Sequence, residues 1–379
     1  MSIAMPGVTG YATMTRLIEN SAVTHARLDK LANQVSTGLV GDSYAGLGTG
    51  AAVSLDLRPQ LANLQTWQDN VDAATGRMAV AQSALTQIQS IAANFYAQLN
   101  NVQSVDTSWI DGVATAARDA LKQVADMLNT QDGGSYVFAG QDTANPPIPA
   151  SGNILSSGFY LQINAAVGGL AVNGAAVTAN TTYAVAASNA PGTSPFSATQ
   201  SQPFATVQGL LPRVQVGQNQ TFTIGLPASA NGLIPDTPVG TPTIPARPPD
   251  PAGPVVSTGS YMRDVLRALA TIGSLSSSQA SVTGFDDLVQ DTRISLSGAV
   301  DAMAQDAGAL GNVQSSLTAT QTRLADTATA LTGQISSAED VDMAATLSQL
   351  SLMQTQMQAS YQLIATLNGL SLAKFLPVG

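Results

Sequence analysis

Apolar residues recur every seven positions along two long stretches of this chain. In the first, Leu57, Leu64, Val71, Met78, Leu85, Ala92 and Leu99 form an unbroken series. A companion series three residues on runs Gln60, Trp67, Ala74, Ala81, Ile88, Phe95 and Val102, with only the first polar. This spacing predicts a long helix from Leu57 to about Ser104 with one seam at coiled-coil spacing. Pro59 falls in its first turn, where a missing N–H costs nothing. In the second stretch Val289, Leu296, Met303, Leu310, Leu317, Leu324 and Leu331 repeat in the same way. One-sided seams of this length must be buried against each other or against shorter helices. Ile110 to about Asn129 and Tyr261 to about Leu275 have the three-and-four spacing of such helices. The residues expected to hold the subunit together are Leu64, Val71, Met78, Leu85 and Leu99 on the first seam. On the second they are Leu296, Met303, Leu310, Leu317 and Leu324.

The chain ends carry narrower stripes. Met14, Leu17, Leu28, Leu31 and Val35 share one near the start; Met343, Leu347, Leu350, Met353, Met357, Ile364 and Leu367 share one near the end. Both are flanked by Thr, Ser, Gln and Asn rather than by pairs of charges. A narrow stripe cannot stabilise a lone helix, so these ends are expected to be loosely ordered until they meet partner helices. Leu17, Leu28, Leu31, Leu350, Met353, Met357, Ile364 and Leu367 are the expected assembly contacts.

From Ala144 to about Gly259 the pattern changes. This segment holds 16 of the 19 prolines, a density that argues against long helices. Phe159–Ile163 and Gln220–Gly225 read as short strands, and Ile234–Pro254 as a proline-rich linker. The predicted fold is mainly α with an inserted β-rich domain, on a long antiparallel helical bundle or coiled coil built from both chain termini. Its divisions are 1–55 (assembly helix and turn), 56–143 (first half of the bundle) and 144–259 (outer domain). Residues 260–336 then form the second half of the bundle and 337–379 the C-terminal assembly helix.

Composition narrows the chemistry. Only 10% of the 379 residues are charged, so neutral side chains make the polar surface, which suits close packing of many copies. A net charge of -10 with 14 basic residues argues against nucleic acid or a membrane surface as partner. No stretch is long and apolar enough for a membrane span, and Met1–Gly10 lacks the pattern of a cleaved secretory signal. There is no cysteine, hence no disulfide, thiolate metal site or cysteine nucleophile. His25 is the only histidine and reads as structural. Gly46–Gly50 lacks the lysine of a phosphate loop and reads as a turn. Asp286-Asp287 and the group Glu339, Asp340, Asp342 precede apolar-periodic runs and read as helix-start charges. Asn180-Thr-Thr and Asn219-Gln-Thr match the glycosylation triplet, a pattern common by chance. No catalytic residue, cofactor site or metal site is assigned.

Three stretches carry a resemblance to a known family. Gln34-Val-Ser-Thr-Gly38 resembles the LSTG or LSSG that closes the first helix of flagellin-family axial proteins. Leu128-Asn-Thr-Gln-Asp-Gly-Gly-Ser-Tyr-Val-Phe-Ala-Gly140 is similar to the "ANT…DGRYIFAG" segment of that family's hook-associated junction branch. Asp340-Val-Asp-Met-Ala344, with the finish Leu370-Ser-Leu-Ala-Lys-Phe-Leu376, resembles the family's C-terminal region. The resemblance implies a non-enzymatic structural part of the extracellular bacterial flagellum, joining hook to filament and exported by a type III channel without a cleaved signal. It implies self-association, with the first hook-associated protein, flagellin and an export chaperone as partners. Two other readings stay open: a filament flagellin subunit, and a glycan-binding module displayed on a helical stalk.

Overall fold

The computed structural model describes residues 6–100, 107–231 and 257–373, without the side chains of 6–14, 17, 108 and 367–373. The elements in chain order are α1 (Pro6–Thr37), α2 (Gly50–Leu99), α3 (Thr107–Leu128), β1 (Gln131–Asp132) and β2 (Ser135–Tyr136). Then come α4 (Gly158–Gly168), α5 (Leu170–Ala187), α6 (Phe204–Gly209), β3 (Arg213–Gln215) and β4 (Thr221–Thr223). The chain closes with α7 (Tyr261–Gly273), α8 (Phe285–Glu339) and α9 (Met343–Ala373). The fold is mainly helical, and it divides into two compact units. One comprises Met1–Gln65 with Ala325–Gly379, the other Thr66–Leu324.

In the larger unit, the predicted seams are in the core. Val71, Met78, Leu85, Leu99, Leu296, Met303, Leu310, Leu317 and Leu324 are all buried. Side-chain bonds set the direction of the helix pair. Gln321 donates to the Asp72 carboxylate at 2.8 Å, Gln89 to the Val300 carbonyl at 3.3 Å, and Arg293 to the Asn100 side chain. As the α2 partner rises in number the α8 partner falls, so these parts of the two helices run antiparallel. The short helix α3 buries Ile110, Val113, Ala117, Leu121, Val124 and Leu128 at the predicted spacing, and it packs on α7.

The central segment departs from the β-rich expectation. Its only strands among the described residues are β3 and β4, paired antiparallel with Val214 opposite Phe222. Phe159–Ile163, predicted as a strand, lies in helix α4. Phe159, Tyr160, Ile163, Val167 and Leu170 are buried, which is helical spacing. A five-residue apolar run fits either period, and only the wider window separates them. The prolines cluster on either side of this window: none lies between Pro149 and Pro191, so two helices fit there. Ser157 caps α4, its side chain accepting from the Tyr160 N–H at 3.4 Å.

A buried arginine holds this region together. Arg263 of α7 donates to the carbonyls of Ser229 (3.0 Å) and Ala186 (2.9 Å) and to the Asn189 side chain (2.7 Å). Its guanidinium lies 5.0 Å from the centre of the Phe196 ring. Burial lowers its pKa to about 10, still high enough to keep the charge at neutral pH. Nearby, the Asn231 side chain accepts from the Ser260 hydroxyl at 2.8 Å and the Met262 N–H at 3.2 Å.

Candidate assembly surface

In the smaller unit the chain's two end helices, α1 and α9, pack together. On α1, Thr24, Leu28, Leu31 and Val35 are half-buried; on α9, Leu350, Met353, Met357 and Ile364 are half-buried. Both sets recur at three and four residues, so each helix lays one stripe on the other. Six of the eight residues expected as assembly contacts therefore lie on stripes that meet within one chain: Leu28, Leu31, Leu350, Met353, Met357 and Ile364. The side chains of Leu17 and Leu367 lie outside the described residues. The ends were expected to stay loosely ordered in a single chain; here each helix supplies the apolar stripe that the other lacks.

The large apolar residues left in water are a different set. Ile18 and Val23 on α1 are 58% and 54% exposed, and Leu352 and Leu363 on α9 are 55% and 56% exposed. Met343, Leu347 and Tyr361 are exposed as well. Nowhere from Met343 to Ala373 does α9 carry a charged residue. A helix that is apolar on more than one side, with no charge, belongs in a buried setting. Met343 and Leu347 belong to the stripe read from the sequence but lie in water, whereas Ile18, Val23, Leu352, Tyr361 and Leu363 fall outside both stripes; the absence of charge along α9 is the signal that marks those on that helix.

The loops at the far end of this helix pair are fastened by polar bonds. Gly38 closes α1 with φ of +75°, a conformation that favours glycine, and its N–H reaches the Gln34 carbonyl at 2.9 Å. The Val40 N–H donates to the Glu339 carbonyl at 2.7 Å, and the Val341 N–H to the Gly38 carbonyl at 2.9 Å. The Glu339 carboxylate accepts from Arg58 Nη2 at 2.7 Å, from Arg58 Nε at 3.0 Å and from the Ser54 hydroxyl at 2.5 Å. Those bonds hold its pKa below the usual carboxylate range and raise that of Arg58. A lowered folded pKa means that this contribution is complete above the unfolded carboxylate pKa. It is lost as pH falls through the folded one. Glu339→Gln should therefore speed amide exchange at Val40 and Val341 at neutral pH. Wild type should approach the variant only in acid; equal exchange of the two proteins at neutral pH would show that the bonds fasten nothing.

The other sequence candidates have ordinary surroundings. Glu339, expected to start a helix, ends α8; Asp342 does cap a helix start, accepting from the Ala345 N–H at 3.0 Å. Asp286 and Asp287 lie in the first turn of α8. His25 meets the Tyr361 hydroxyl across α1 and α9. The buried Thr182 hydroxyl donates to the Ala179 carbonyl, which removes it from the surface a glycosylation triplet needs. Asn219 lies in the exposed β3–β4 turn. Gly46–Gly50 lies in the turn leading into α2. Among the described residues no group of three or more His, Asp or Glu could hold a metal ion, and no helix is long and apolar enough to cross a membrane.

The segment from Leu128 to Gly140 is a folded knot on the larger unit. Gly133 and Gly134, with φ of +55° and +81°, make the two-residue turn between β1 and β2. Val137, Phe138 and Ala139 are buried behind it. Arg77 of α2 donates to the carbonyls of Tyr136 (2.8 Å) and Val137 (3.1 Å), and the Asn129 amide exchanges two bonds with the backbone of Ile148. This arrangement turns the chain out of α3 into the central segment.

Comparison with known families matches both ends of the chain. The bacterial flagellin N-terminal helical region matches residues 11–143, and the bacterial flagellin C-terminal helical region matches residues 295–376. No curated protein matches the sequence. The two regions together span more than half of the chain, and they take in most of α1, all of α2 and α3, most of α8 and all of α9, on the two sides of the central segment. Paired terminal helices and a pair of family regions in the right order lead to one conclusion: the chain belongs to the flagellin family of axial proteins, structural components of the extracellular bacterial flagellum that self-assemble into polymers.

Proposed function

We propose that this subunit joins the flagellar hook to the filament, rather than forming the filament itself. The observation that supports this reading is the segment from Leu128 to Gly140, whose Tyr136-Val-Phe-Ala-Gly140 resembles the junction branch of the family. The work of such a subunit is mechanical. Terminal helices of many copies pack side by side, seated on the first hook-associated protein and presenting a template for flagellin. Leu28, Leu31, Leu350, Met353, Met357 and Ile364 order the terminal pair. The buried seam positions of the long helices, Leu64 in the smaller unit and Val71 to Leu324 in the larger, keep each subunit intact under load. Export through the flagellar type III channel, with a dedicated chaperone covering the terminal helices, completes the reading.

A deletion strain tests it. Loss of a junction subunit should leave hooks of normal length without filaments, and should release flagellin monomers into the medium. Loss of a filament subunit should instead remove the main protein of sheared filaments while the other parts remain. Full-length filaments in the deletion strain, built from another flagellin, would overturn the junction reading.

A further inference from the structure

A pit of about 140 Å3 lies beside Arg263 in the larger unit. Ser229, Ser260 and Arg263 line it and are buried, so they form its floor. Asn189 and Gln202 are exposed at its mouth, and half-buried Phe204 supplies an apolar wall. What these polar groups have left to offer decides what can bind there. A guanidinium carries five N–H groups. Arg263 uses four of them, on the carbonyls of Ser229, Ala186 and Ser188 and on the Asn189 side chain. Among the described residues the fifth, on Nη2, has no acceptor. The side-chain amides of Asn189 and Gln202 each give one N–H to a carbonyl, of Gln202 and of Ala198, and each keeps one. The floor hydroxyls are committed the other way. Ser229 gives its single hydrogen to the Gln200 carbonyl at 2.5 Å, and Ser260 gives its own to the Asn231 side chain at 2.8 Å. Towards a ligand both can only accept.

The pit therefore offers three N–H donors and two hydroxyl acceptors within one small space. A bare carboxylate brings acceptors alone and has nothing to give the two serine oxygens. An ammonium group brings donors alone and meets the charge of Arg263. A hydroxyl both donates and accepts, and two neighbouring hydroxyls answer donors and acceptors together. Size points the same way: a cavity of about 150 Å3 takes a six-membered carbon ring. We propose that the pit binds one edge of a neutral sugar ring, such as the end unit of a glycan. Its hydroxyls accept from Arg263, Asn189 and Gln202 and donate to Ser229 and Ser260, and its C–H face lies on Phe204. A few placed polar groups beside an apolar wall are the usual make-up of a small-molecule site. These lining residues all lie between the two regions that match the family, residues 11–143 and 295–376. The site is thus a feature of this chain's central segment, and it holds whichever place the subunit takes in the flagellum.

Saturation-transfer NMR on the purified full-length chain tests the site. The probes are the methyl glycosides of glucose, galactose, mannose and N-acetylglucosamine, with lactate and methylammonium as the charged comparisons. At least one glycoside should bind saturably, with a dissociation constant on the order of 1 mM for so small a contact. Ala187 also lines the pit, so Ala187→Met fills it while leaving every bond of Arg263 in place. That variant should weaken glycoside binding by about tenfold or more. Gln202→Ala removes one donor at the exposed mouth and should weaken it several-fold. It decides the matter alone should Ala187→Met fail to show the wild-type melting curve. No saturable binding of any of the four glycosides would overturn the inference. So would binding of lactate or methylammonium in their place, or glycoside binding that a folded Ala187→Met and Gln202→Ala both leave unchanged.

Discussion

Leu310→Asp should lower the unfolding midpoint of the larger unit by about 10 °C or more. Leu310 is fully buried in α8, one turn from Asp306, which is itself fully buried. The substitution removes a core side chain and sets a second carboxyl beside the first. An unpaired charge in a dry interface costs on the order of 3–5 kcal/mol, comparable with emptying the site of a leucine. For a unit of this size each kcal/mol shifts the midpoint by about 2–4 °C. Burial also raises the introduced carboxyl's folded pKa above its unfolded value. The electrostatic penalty is therefore complete above the folded pKa and shrinks as pH falls through it. Melting curves should show a gap from wild type that is wide at pH 8 and narrower at pH 5. The control Leu310→Met keeps the volume and should cost less than about 1.5 kcal/mol. An unchanged midpoint for Leu310→Asp would mean that the seam does not hold the unit together.

That seam was legible because a period of seven survives substitution among Leu, Val, Met and Ala. Every position from Val71 to Leu324 in the larger unit needed only to be apolar, and the pattern records this without naming a partner. The helices α4 and α5 were not legible for a complementary reason. Proline density averaged over the whole central segment concealed a long stretch without proline, and Phe159–Ile163 was too short to show its period. Arg263 could not have been found at all. Its acceptors are backbone carbonyls near residues 186 and 229, and a carbonyl leaves no mark on the sequence. The same limit explains the assembly surface. Periodicity located the stripes of α1 and α9 but could not say whether the partner of each was another copy or the other end of the same chain. Once the stripes are seen to meet within the chain, what stays exposed is the weaker pattern of Val23, Ile18, Leu352 and Leu363. The family resemblance directed attention to the right helices but carried no information about their faces.

Removing Leu347–Gly379 should cost roughly twice the helical signal that the deleted residues themselves account for. The deletion takes most of α9 and also strips α1 of the surface that covers Leu28 and Leu31. A helix of 32 residues with a narrow apolar stripe and few charge pairs is marginal in water once its partner is gone. It should melt, and far-UV circular dichroism should record the loss of both helices. The larger unit keeps its own core, with Met78, Leu85, Met303, Leu310 and Leu317 all inside it, so its melting midpoint should be nearly unchanged. Incorporation into flagella should be abolished. Amide exchange sharpens the comparison, since α1 should be protected in the full-length chain and exchange freely in the truncated one. A loss of helical signal equal to the deleted residues alone would mean that α1 stands without α9.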